Sequence, residues 1–362
     1  MMDVIFLNKK FELTCVIDAY KSFIWTDRYD EAGDFELYMP MNANILNAVH
    51  LGDYVVNPNS EHVMIVESFL FETDPEEGDF LSISGRSLET ILERRIVWGY
   101  REFVGAVDSK GNVTYPKLQK CVKTLMEENV INAIETRKIS NFIFEETTDS
   151  RITDIDFEAQ YFGDDLYAVV SNICKEHELG FKITLSDDNK FVFKLYKGVE
   201  REIVRFSPKL DNILGTSYLE SIKNLRNVTL IGGDGEGEKR ETDVVEITNT
   251  LNVGLDRREI FTDANGVSKS DTNGDRYYAL LQQKGIDTLM EHAYIKTFEG
   301  EAIPDMVFKY GVDYFVGDIV TVVDKYGNEG TSRITEFVIS CDENGVNTYP
   351  TFTSIQKGVY EV

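Results

Sequence analysis

The chain has 362 residues, of which 42% are hydrophobic and 28% charged, and at roughly 150 residues per domain it has room for two or three domains. Seven prolines and 26 glycines exclude a collagen-like or low-complexity chain. The 37 basic side chains set against 63 acidic ones give a net charge of −26, which excludes a sequence-independent grip on nucleic acid because phosphate is repelled.

The first hundred residues are rich in predicted strands. Alternation of apolar and polar residues predicts strands at Phe11–Ile17 and Phe35–Met39, and the nearly continuous apolar run Met64–Phe71 predicts a strand buried on both faces. Asp79–Ser84 continues this pattern, so a barrel or sandwich is indicated. Ser87 is then expected to cap a short helix, whose apolar face and terminal cations are Leu88, Ile91, Leu92, Arg94 and Arg95.

A mixed α/β pattern follows, from about Tyr100 to Gly198. Helices are predicted behind Pro116 and behind Asp164, each with one apolar stripe. The stripes are Leu118, Cys121, Val122, Leu125 and Met126 in the first helix, and Leu166, Val169, Val170, Ile173 and Cys174 in the second. A β-hairpin is predicted from Phe181–Leu185 and Phe191–Tyr196, joined by the turn Asp187-Asp188-Asn189.

Strands return from Ile203 onward and are interrupted by one predicted helix, Arg276–Thr297, which Gly285 divides. The predicted strands are Ser217–Ile231, Val244–Ile247, Phe315–Val323 and Ser332–Ile339.

One short pattern occurs twice. Leu51-Gly52-Asp53 leads into an apolar strand followed by Met64–Ser68, and Val316-Gly317-Asp318 leads into another followed by Arg333–Glu336. Each copy predicts a Gly-Asp turn feeding an antiparallel strand pair, which indicates two similar small barrels. The alternative is chance, since such turns are common in β proteins.

The amino terminus and the cysteines favour a soluble chain made without Sec export. The apolar run that begins at Val4 ends at Leu7, too short for a signal peptide, and no segment approaches the roughly 20 apolar residues of a membrane helix. The four cysteines form no CxxC pair and are expected to be buried thiols in a reducing compartment: Cys15, Cys121, Cys174 and Cys341.

No recognisable set of residues carries chemistry, so we predict no catalytic, cofactor-binding or metal-binding residues. No two of the four histidines have the i, i+4 spacing of a helical metal site: His50, His62, His177 and His292. Cys174 and His177 lie at i, i+3, but Cys174 belongs to an apolar stripe, which favours a core thiol over a Cys–His hydrolase.

Three loops have possible ligand groups. Ile231–Glu238 is rich in glycine but has carboxylates where a phosphate loop needs Lys and Ser or Thr, so a mobile loop is expected, or a tip that orders against a partner protein. Asp263–Gly266 and Asp271–Asp275 bring oxygen donors together without the bidentate Glu of an EF-hand. Asx turns are expected there, and adventitious calcium stays open.

Two arginine pairs, Arg94-Arg95 and Arg257-Arg258, stand out in so acidic a chain. One interpretation is surface ion pairing with neighbouring carboxylates. The other is a contact across a subunit interface, where a guanidinium pairs with a carboxylate in a partly desolvated setting.

Short motifs are spaced over nearly the whole chain. In order they are Ser22–Tyr29, Gly33–Leu37, Met64–Glu67, Gly85–Leu88, Ile91-Leu92, Arg94–Ile96, Phe206-Ser207, Asn212–Leu214, Gly254–Glu259, Asp313-Tyr314 and Gly317-Asp318. By their number and order, these motifs resemble those of siphophage tail hub proteins, a family similar to the baseplate hub of contractile-tailed phages.

The resemblance implies a β-rich α+β fold. It consists of two tail-tube-like β-barrel domains, an inserted α/β domain of helix plus hairpin, and a further helical insertion. The expected boundaries are 1–98 for the first barrel, 99–200 for the inserted domain, 201–250 with 305–362 for the second barrel, and 251–304 for the helical insertion. Three chains with two barrels each would form a pseudo-sixfold ring.

The resemblance also implies a function. It is that of a non-enzymatic virion protein of the phage tail tip, assembled in the host cytoplasm as a homotrimer. Such a hub joins the tail tube and distal tail ring to tip or receptor-binding proteins and passes DNA without binding it specifically. Larger relatives have a hydrolase or receptor-binding region after the hub, and we expect none after Val362.

Two other functions stay open. A tail-associated peptidoglycan hydrolase could use carboxylates hidden among the 63 acidic residues. A carbohydrate-binding adhesin is suggested by 18 Tyr, 22 Phe and 2 Trp, although their alternation within strands favours core packing. The acidic balance fits either a lumen that repels DNA or simple solubility.

Overall fold

The computed structural model of the protein describes residues 2–76, 78–107, 113–247, 252–265, 267, 274–292, 294–303, 307–343 and 345–354. The chain divides into two compact units. The first comprises Met1–Gly215, Gly300–Glu329 and Arg333–Thr353, and the second comprises Thr216–Glu299, Gly330–Ser332 and Ser354–Val362.

The amino-terminal part consists mainly of strands, as the alternating sequence predicts. Its elements are β1 (Val4–Leu7), β2 (Leu13–Ile17), β3 (Ser22–Arg28), β4 (Asp34–Pro40), α1 (Ala43–Ala48), β5 (Tyr54–Val56), β6 (Val63–Asp74), β7 (Gly78–Ser87) and a 3-10 helix, Leu88–Arg94. In β4 the apolar residues Phe35, Leu37 and Met39 are buried and Glu36 is exposed, which confirms the predicted alternation.

Two details of this part differ from the prediction. Only the first four residues of β6, Val63–Val66, are buried, and the apolar residues that follow are largely exposed, so the strand is not covered on both faces. Ser87 makes no side-chain cap to the following helix. Its Oγ instead accepts a hydrogen bond from the backbone N–H of Gly33, at 2.8 Å.

The middle of the chain is α/β, as predicted. Its elements are β8 (Tyr100–Phe103), β9 (Ala106–Val107), β10 (Val113–Thr114), α2 (Leu118–Met126) with a π-helical turn at Glu127–Ile131, β11 (Phe142–Glu145), α3 (Ser150–Thr153), β12 (Ala159–Phe162), α4 (Leu166–Glu176), β13 (Gly180–Leu185) and β14 (Phe191–Tyr196). The predicted stripes of α2 and α4 are buried in one core against the β13–β14 hairpin, and β11 runs parallel to β14.

The remaining elements contain most of the non-local pairing. They are β15 (Glu200–Phe206), β16 (Ile213–Ser221), β17 (Val228–Gly232), β18 (Thr242–Glu246), β19 (Glu259–Asp263), α5 (Gly274–Glu291), β20 (Ile295–Ala302), β21 (Ile319–Val323), β22 (Glu329–Asp342) and β23 (Gly345–Ser354). The predicted strand Ser217–Ile231 is therefore two strands, β16 and β17, and the predicted helix ends at Glu291.

In the second unit, α5 packs on a small sheet with β17 at its centre. Strand β17 pairs antiparallel with β18 and parallel with β19. Contrary to the prediction, Gly285 does not divide α5, which is continuous. A Cβ at position 285 would lie 2.6 Å from Ile231 Cδ1. The glycine lets the helix approach the sheet closely, and Tyr277, Leu281 and Leu289 are buried in the resulting core.

The first unit is built around one eleven-stranded sheet with the order β15-β21-β22-β3-β4-β7-β6-β5-β1-β2, and β23 also pairs with β22. Strands from both β-rich parts of the sequence lie in this sheet and join where β3 pairs antiparallel with β22. Within the described ranges, the pairing is an open path from β15 to β2. The fold is thus β-rich α+β, as expected.

Candidate assembly surface

The first Gly-Asp turn enters the sheet through three backbone hydrogen bonds. Gly52 has φ of +85° and donates its N–H to the carbonyl oxygen of Val66, at 2.7 Å. The N–H of Val66 donates to the carbonyl oxygen of Asp53, at 2.8 Å. The N–H of Asp53 donates to the carbonyl oxygen of His50. The Asp53 carboxylate is buried and accepts from the backbone N–H of His50, at 2.8 Å.

The second Gly-Asp turn repeats this arrangement bond for bond. Gly317 has φ of +96° and donates its N–H to the carbonyl oxygen of Ile334, at 2.7 Å. The N–H of Ile334 donates to the carbonyl oxygen of Asp318, at 2.9 Å. The N–H of Asp318 donates to the carbonyl oxygen of Phe315, and its buried carboxylate accepts from the N–H of Phe315. The repeated sequence pattern is therefore a repeated structure, in which Val66 corresponds to Ile334.

The strand pairs that follow the turns also correspond, but their outer neighbours differ. In each copy a strand after the turn pairs with the first strand of a long hairpin, β5 with β6–β7 and β21 with β22–β23. The next strand outward is antiparallel in one case, β1 to β5, and parallel in the other, β15 to β21. The repeat covers the turn and the hairpin, not the outer strand.

One edge that is covered in the second copy is open in the first. With Val66 matched to Ile334, the segment Ser68–Thr73 of β6 corresponds to Glu336–Cys341 of β22. β3 pairs along Glu336–Cys341, whereas β5 pairs only with Val63–Ile65. Among the described strands, Ser68–Thr73 therefore has β7 on one side and no partner on the other.

The open edge is also apolar. Leu70 and Phe71 are each 54% exposed, on a strand whose partner β7 is buried at the same level of the hairpin. A long edge strand with exposed apolar side chains is a template for pairing with another chain. The sequence did not reveal this edge, because its apolar run predicts burial.

A buried charged cluster, not recognisable from the sequence, lies at the end of the β6–β7 hairpin where β6 begins and β7 ends. His62 Nδ1 lies 3.4 Å from Glu89 Oε1, and Glu89 Oε1 also accepts the backbone N–H of Ile183, at 2.7 Å. The Asp27 carboxylate accepts from Trp25 Nε1, at 2.8 Å. His62, Glu89 and Asp27 are at most 5% exposed, so the cluster joins the amino-terminal strands to β13 within a sealed core.

The charges in this cluster shift one another's pKa. Burial alone would lower the pKa of His62, but the negative charges of Asp27 and Glu89 raise it to about 9. Burial alone would raise the pKa of Glu89, but His62 holds it below its usual value. For Asp27, burial outweighs the attraction of His62 and raises the pKa. His62 is therefore protonated at neutral pH.

Cys174 and His177 lie at the carboxyl end of α4. Cys174 is fully buried, and burial raises the pKa of its thiol well above the usual value, while the His177 ring packs edge-on against Phe157. Cys121 and Cys341 are also buried and Cys15 is partly exposed. Within the described ranges, no group of three or more His, Cys, Asp or Glu could hold a metal ion. None of the helices described is long and apolar enough to cross a membrane.

The glycine-rich loop and the Asp263 turn are held by an arginine. The Arg240 guanidinium donates to the carbonyl oxygens of Gly232 and Gly233, to Asp263 and to Asn265 Oδ1. A protein cation thus occupies the oxygen donors considered for calcium. Of the other predicted loop, residues 271–273 lie outside the described residues.

The two arginine pairs differ in the groups that they bind. Arg257 forms ion pairs with Glu246 and Glu259, at 2.8 and 2.6 Å, as the surface-pairing interpretation predicts. Arg95 instead donates to the backbone carbonyl oxygens of Arg137 and Arg94, at 2.8 and 2.7 Å.

The fold is similar to the folds of several solved tail proteins. The chain matches the tail protein from prophage MuSo2 of Shewanella oneidensis at 12% identity and a TM-score of 0.61, over 97% of this chain and 98% of that one. A tail protein from Neisseria meningitidis matches at 12% identity and a TM-score of 0.58, over 99% and 97% of the two chains. Prophage tail protein gp18 from Listeria monocytogenes matches at 11% identity and a TM-score of 0.55, over 99% of this chain and 96% of that one.

No curated protein matches the chain by sequence. The family model described as Siphovirus ReqiPepy6 Gp37-like protein matches residues 3–352. The resemblance to a siphophage tail family is thereby confirmed, and the protein belongs to the Siphovirus ReqiPepy6 Gp37-like family.

Proposed function

We propose that the protein is a non-enzymatic hub of the phage tail, located at the tail tip of the virion and built as a homotrimer with two tube-like β modules per chain. The observation that carries this proposal is the repeated Gly-Asp turn with its hairpin, because two related modules in each of three copies give six similar positions around one axis. The modules are proposed to lie at 1–98 and at 201–250 with 305–362, separated by the insertions 99–200 and 251–304.

The covered and open hairpin edges support a proposal for how such a ring would close. Within a chain, β3 pairs with β22 and so joins the two modules. We propose that the corresponding edge of β6, Ser68–Thr73, is covered by β15 of the next copy. β15 ends the sheet, and its Ile203 is 85% exposed. A contact between two different edges is heterologous, and it gives a closed ring of three copies when each contact rotates the next copy by one third of a turn.

Such a ring would join the tail tube and distal tail proteins on one side to tip or receptor-binding proteins on the other. It would also surround a passage for DNA. The net charge of −26 supports passage without retention, because a carboxylate-rich wall repels phosphate.

The ring is tested by the solution mass of the purified chain from light scattering, with negative-stain images of the same sample. We expect the mass of three chains and a hollow threefold particle. A mass of one chain at micromolar concentration, or a particle without threefold symmetry, contradicts the proposal.

The edge contact is tested by Phe71→Glu, with Tyr326→Glu as the matched control, since both replace an exposed aromatic ring by a carboxylate. We expect Phe71→Glu to weaken self-association by about tenfold or more, because an apolar contact is replaced by a charge that must be desolvated. Tyr326→Glu should leave the mass unchanged. Each of the two substitutions should change the free energy of unfolding of the monomer by only about 0.5 kcal/mol. An unchanged association constant for Phe71→Glu would exclude this edge from the interface.

A further inference from the structure

A row of exposed apolar side chains lies where the inserted α/β region begins. Ile96, Trp98 and Tyr100 are 40%, 68% and 56% exposed, and Val97 between the first two is buried. Tyr100 lies opposite Phe162 in the antiparallel β8–β12 pair, and Phe162 is 73% exposed. Directly opposite residues of such a pair project to the same face, so Phe162 extends the row.

An arginine cluster adjoins this row. The Arg137 guanidinium lies 4.7 Å from the centre of the Trp98 ring and donates to the backbone carbonyl oxygen of Ile96, at 2.9 Å. Arg95 binds the backbone of Arg94 and Arg137, so the three arginines are neighbours. Burial, and then the positive charges of Arg137 and Arg94, lower the pKa of Arg95.

These arginines differ from others nearby in having no carboxylate partner among the described residues. Arg86 pairs with Glu67 and Glu93, and Arg101 pairs with Glu128. Because the three adjacent cations repel one another and have no carboxylate partner, they can still bind carboxylates of another molecule. This is notable in a chain with 63 acidic residues.

The combination of exposed Trp, Tyr and Arg is typical of the residues that dominate protein–protein interfaces. The chain itself supplies the complementary partner, because each copy has a net charge of −26 and copies brought together repel one another unless cations lie between them. A heterologous contact would place this cationic surface of one copy against a different, acidic surface of the next.

We propose that the arginine–aromatic surface, consisting of Arg94, Arg95, Trp98, Arg137 and Phe162, binds a carboxylate-bearing face of a second copy of this chain. This inference rests on the proposed ring and adds to it a contact outside the β6 edge.

The test uses photo-cross-linking of the purified full chain with p-benzoylphenylalanine at position 162, while light scattering gives the mass of the same sample. We expect irradiation to give a covalent dimer. Arg94→Glu combined with Arg137→Glu should lower its yield by about fivefold or more, because attraction becomes repulsion. The control, Lys10→Glu combined with Lys120→Glu, changes the net charge equally at two other exposed cations and should leave the yield unchanged.

The outcomes separate the two proposals. A threefold mass without a covalent dimer, or a dimer yield that Arg94→Glu/Arg137→Glu does not lower, overturns the arginine–aromatic contact and leaves the ring intact. A covalent dimer that depends on the arginines in a particle that is not threefold supports the contact and overturns the ring. A single-chain mass without a covalent dimer overturns both.

Discussion

Replacing Gly317 by alanine is expected to lower the free energy of unfolding by about 3 kcal/mol or more. The residue has φ of +96°, a conformation that costs energy for any residue with a Cβ. A Cβ there would also lie 2.3 Å from Cε2 of Tyr29, whose ring is 1% exposed and has no space to move. Urea-induced unfolding of the two proteins, followed by far-ultraviolet circular dichroism, measures the difference.

Two other glycines with similar backbone angles separate the two causes. Gly327 has φ of +91° and open space within 4 Å of the position that a Cβ would take, and Gly52 has φ of +85° with only the flexible end of Lys9 close by. We expect Gly327→Ala and Gly52→Ala to cost about 1–2 kcal/mol each, the backbone contribution alone. If Gly317→Ala costs no more than these two, the close packing of Tyr29 against the second turn is refuted.

The second large effect is expected for Glu89→Gln. This change removes the carboxylate beside buried His62 while nearly keeping its shape, and we expect it to lower the free energy of unfolding at pH 7 by about 3 kcal/mol. Exposed Glu145, which pairs with Lys194 at the surface, is the matched control. Glu145→Gln should cost less than about 1 kcal/mol.

Buried Trp25 reports on this cluster directly, because its Nε1 donates to Asp27. The chain has two tryptophans, so Trp98→Phe leaves Trp25 as the sole tryptophan whose fluorescence follows unfolding. Equal costs for Glu89→Gln and Glu145→Gln would show that the His62–Glu89 pair does not stabilise the fold.

The same pair predicts a pH dependence of definite sign. The pKa of His62 is about 9 in the folded chain, against an ordinary value of 6.5. The folded chain therefore favours protonated His62. The contribution of this protonation to the free energy of unfolding is complete below pH 6.5 and is lost as the pH rises through 9. The contribution lost over this range is about 3 kcal/mol. His62→Gln should flatten the decline in stability between pH 6.5 and 9, and a decline of the same steepness in His62→Gln would assign it to other groups.

Local sequence patterns were enough to predict those elements whose structure is decided by contacts between residues close together in the chain. The stripes of α2 and α4 and the β13–β14 hairpin follow from apolar spacing and turn residues within about twenty positions. The Gly-Asp turns were recognisable for the same reason, since each needs one glycine with positive φ and one short carboxylate.

The sequence could not reveal contacts whose partners lie far apart along the chain. The pairing of β3 with β22, the parallel approach of β15 to β21, and the meeting of His62 with Glu89 have no local signal. The exposed half of β6 was predicted to be buried because an apolar run looks the same in the sequence whether or not the folded chain covers it. Exposed Trp98 was indistinguishable from a core aromatic residue for the same reason.

The join between β3 and β22 has a consequence for biosynthesis. Arg28 in β3 is bonded to Glu336 in β22, 308 positions later, so the first half of the sheet leaves the ribosome with this edge bare. Non-local pairing of this kind is slow to form, and a bare strand edge invites pairing with the wrong chain. Nascent copies on one polysome are therefore exposed to mispairing until β22 has been translated and can pair with β3.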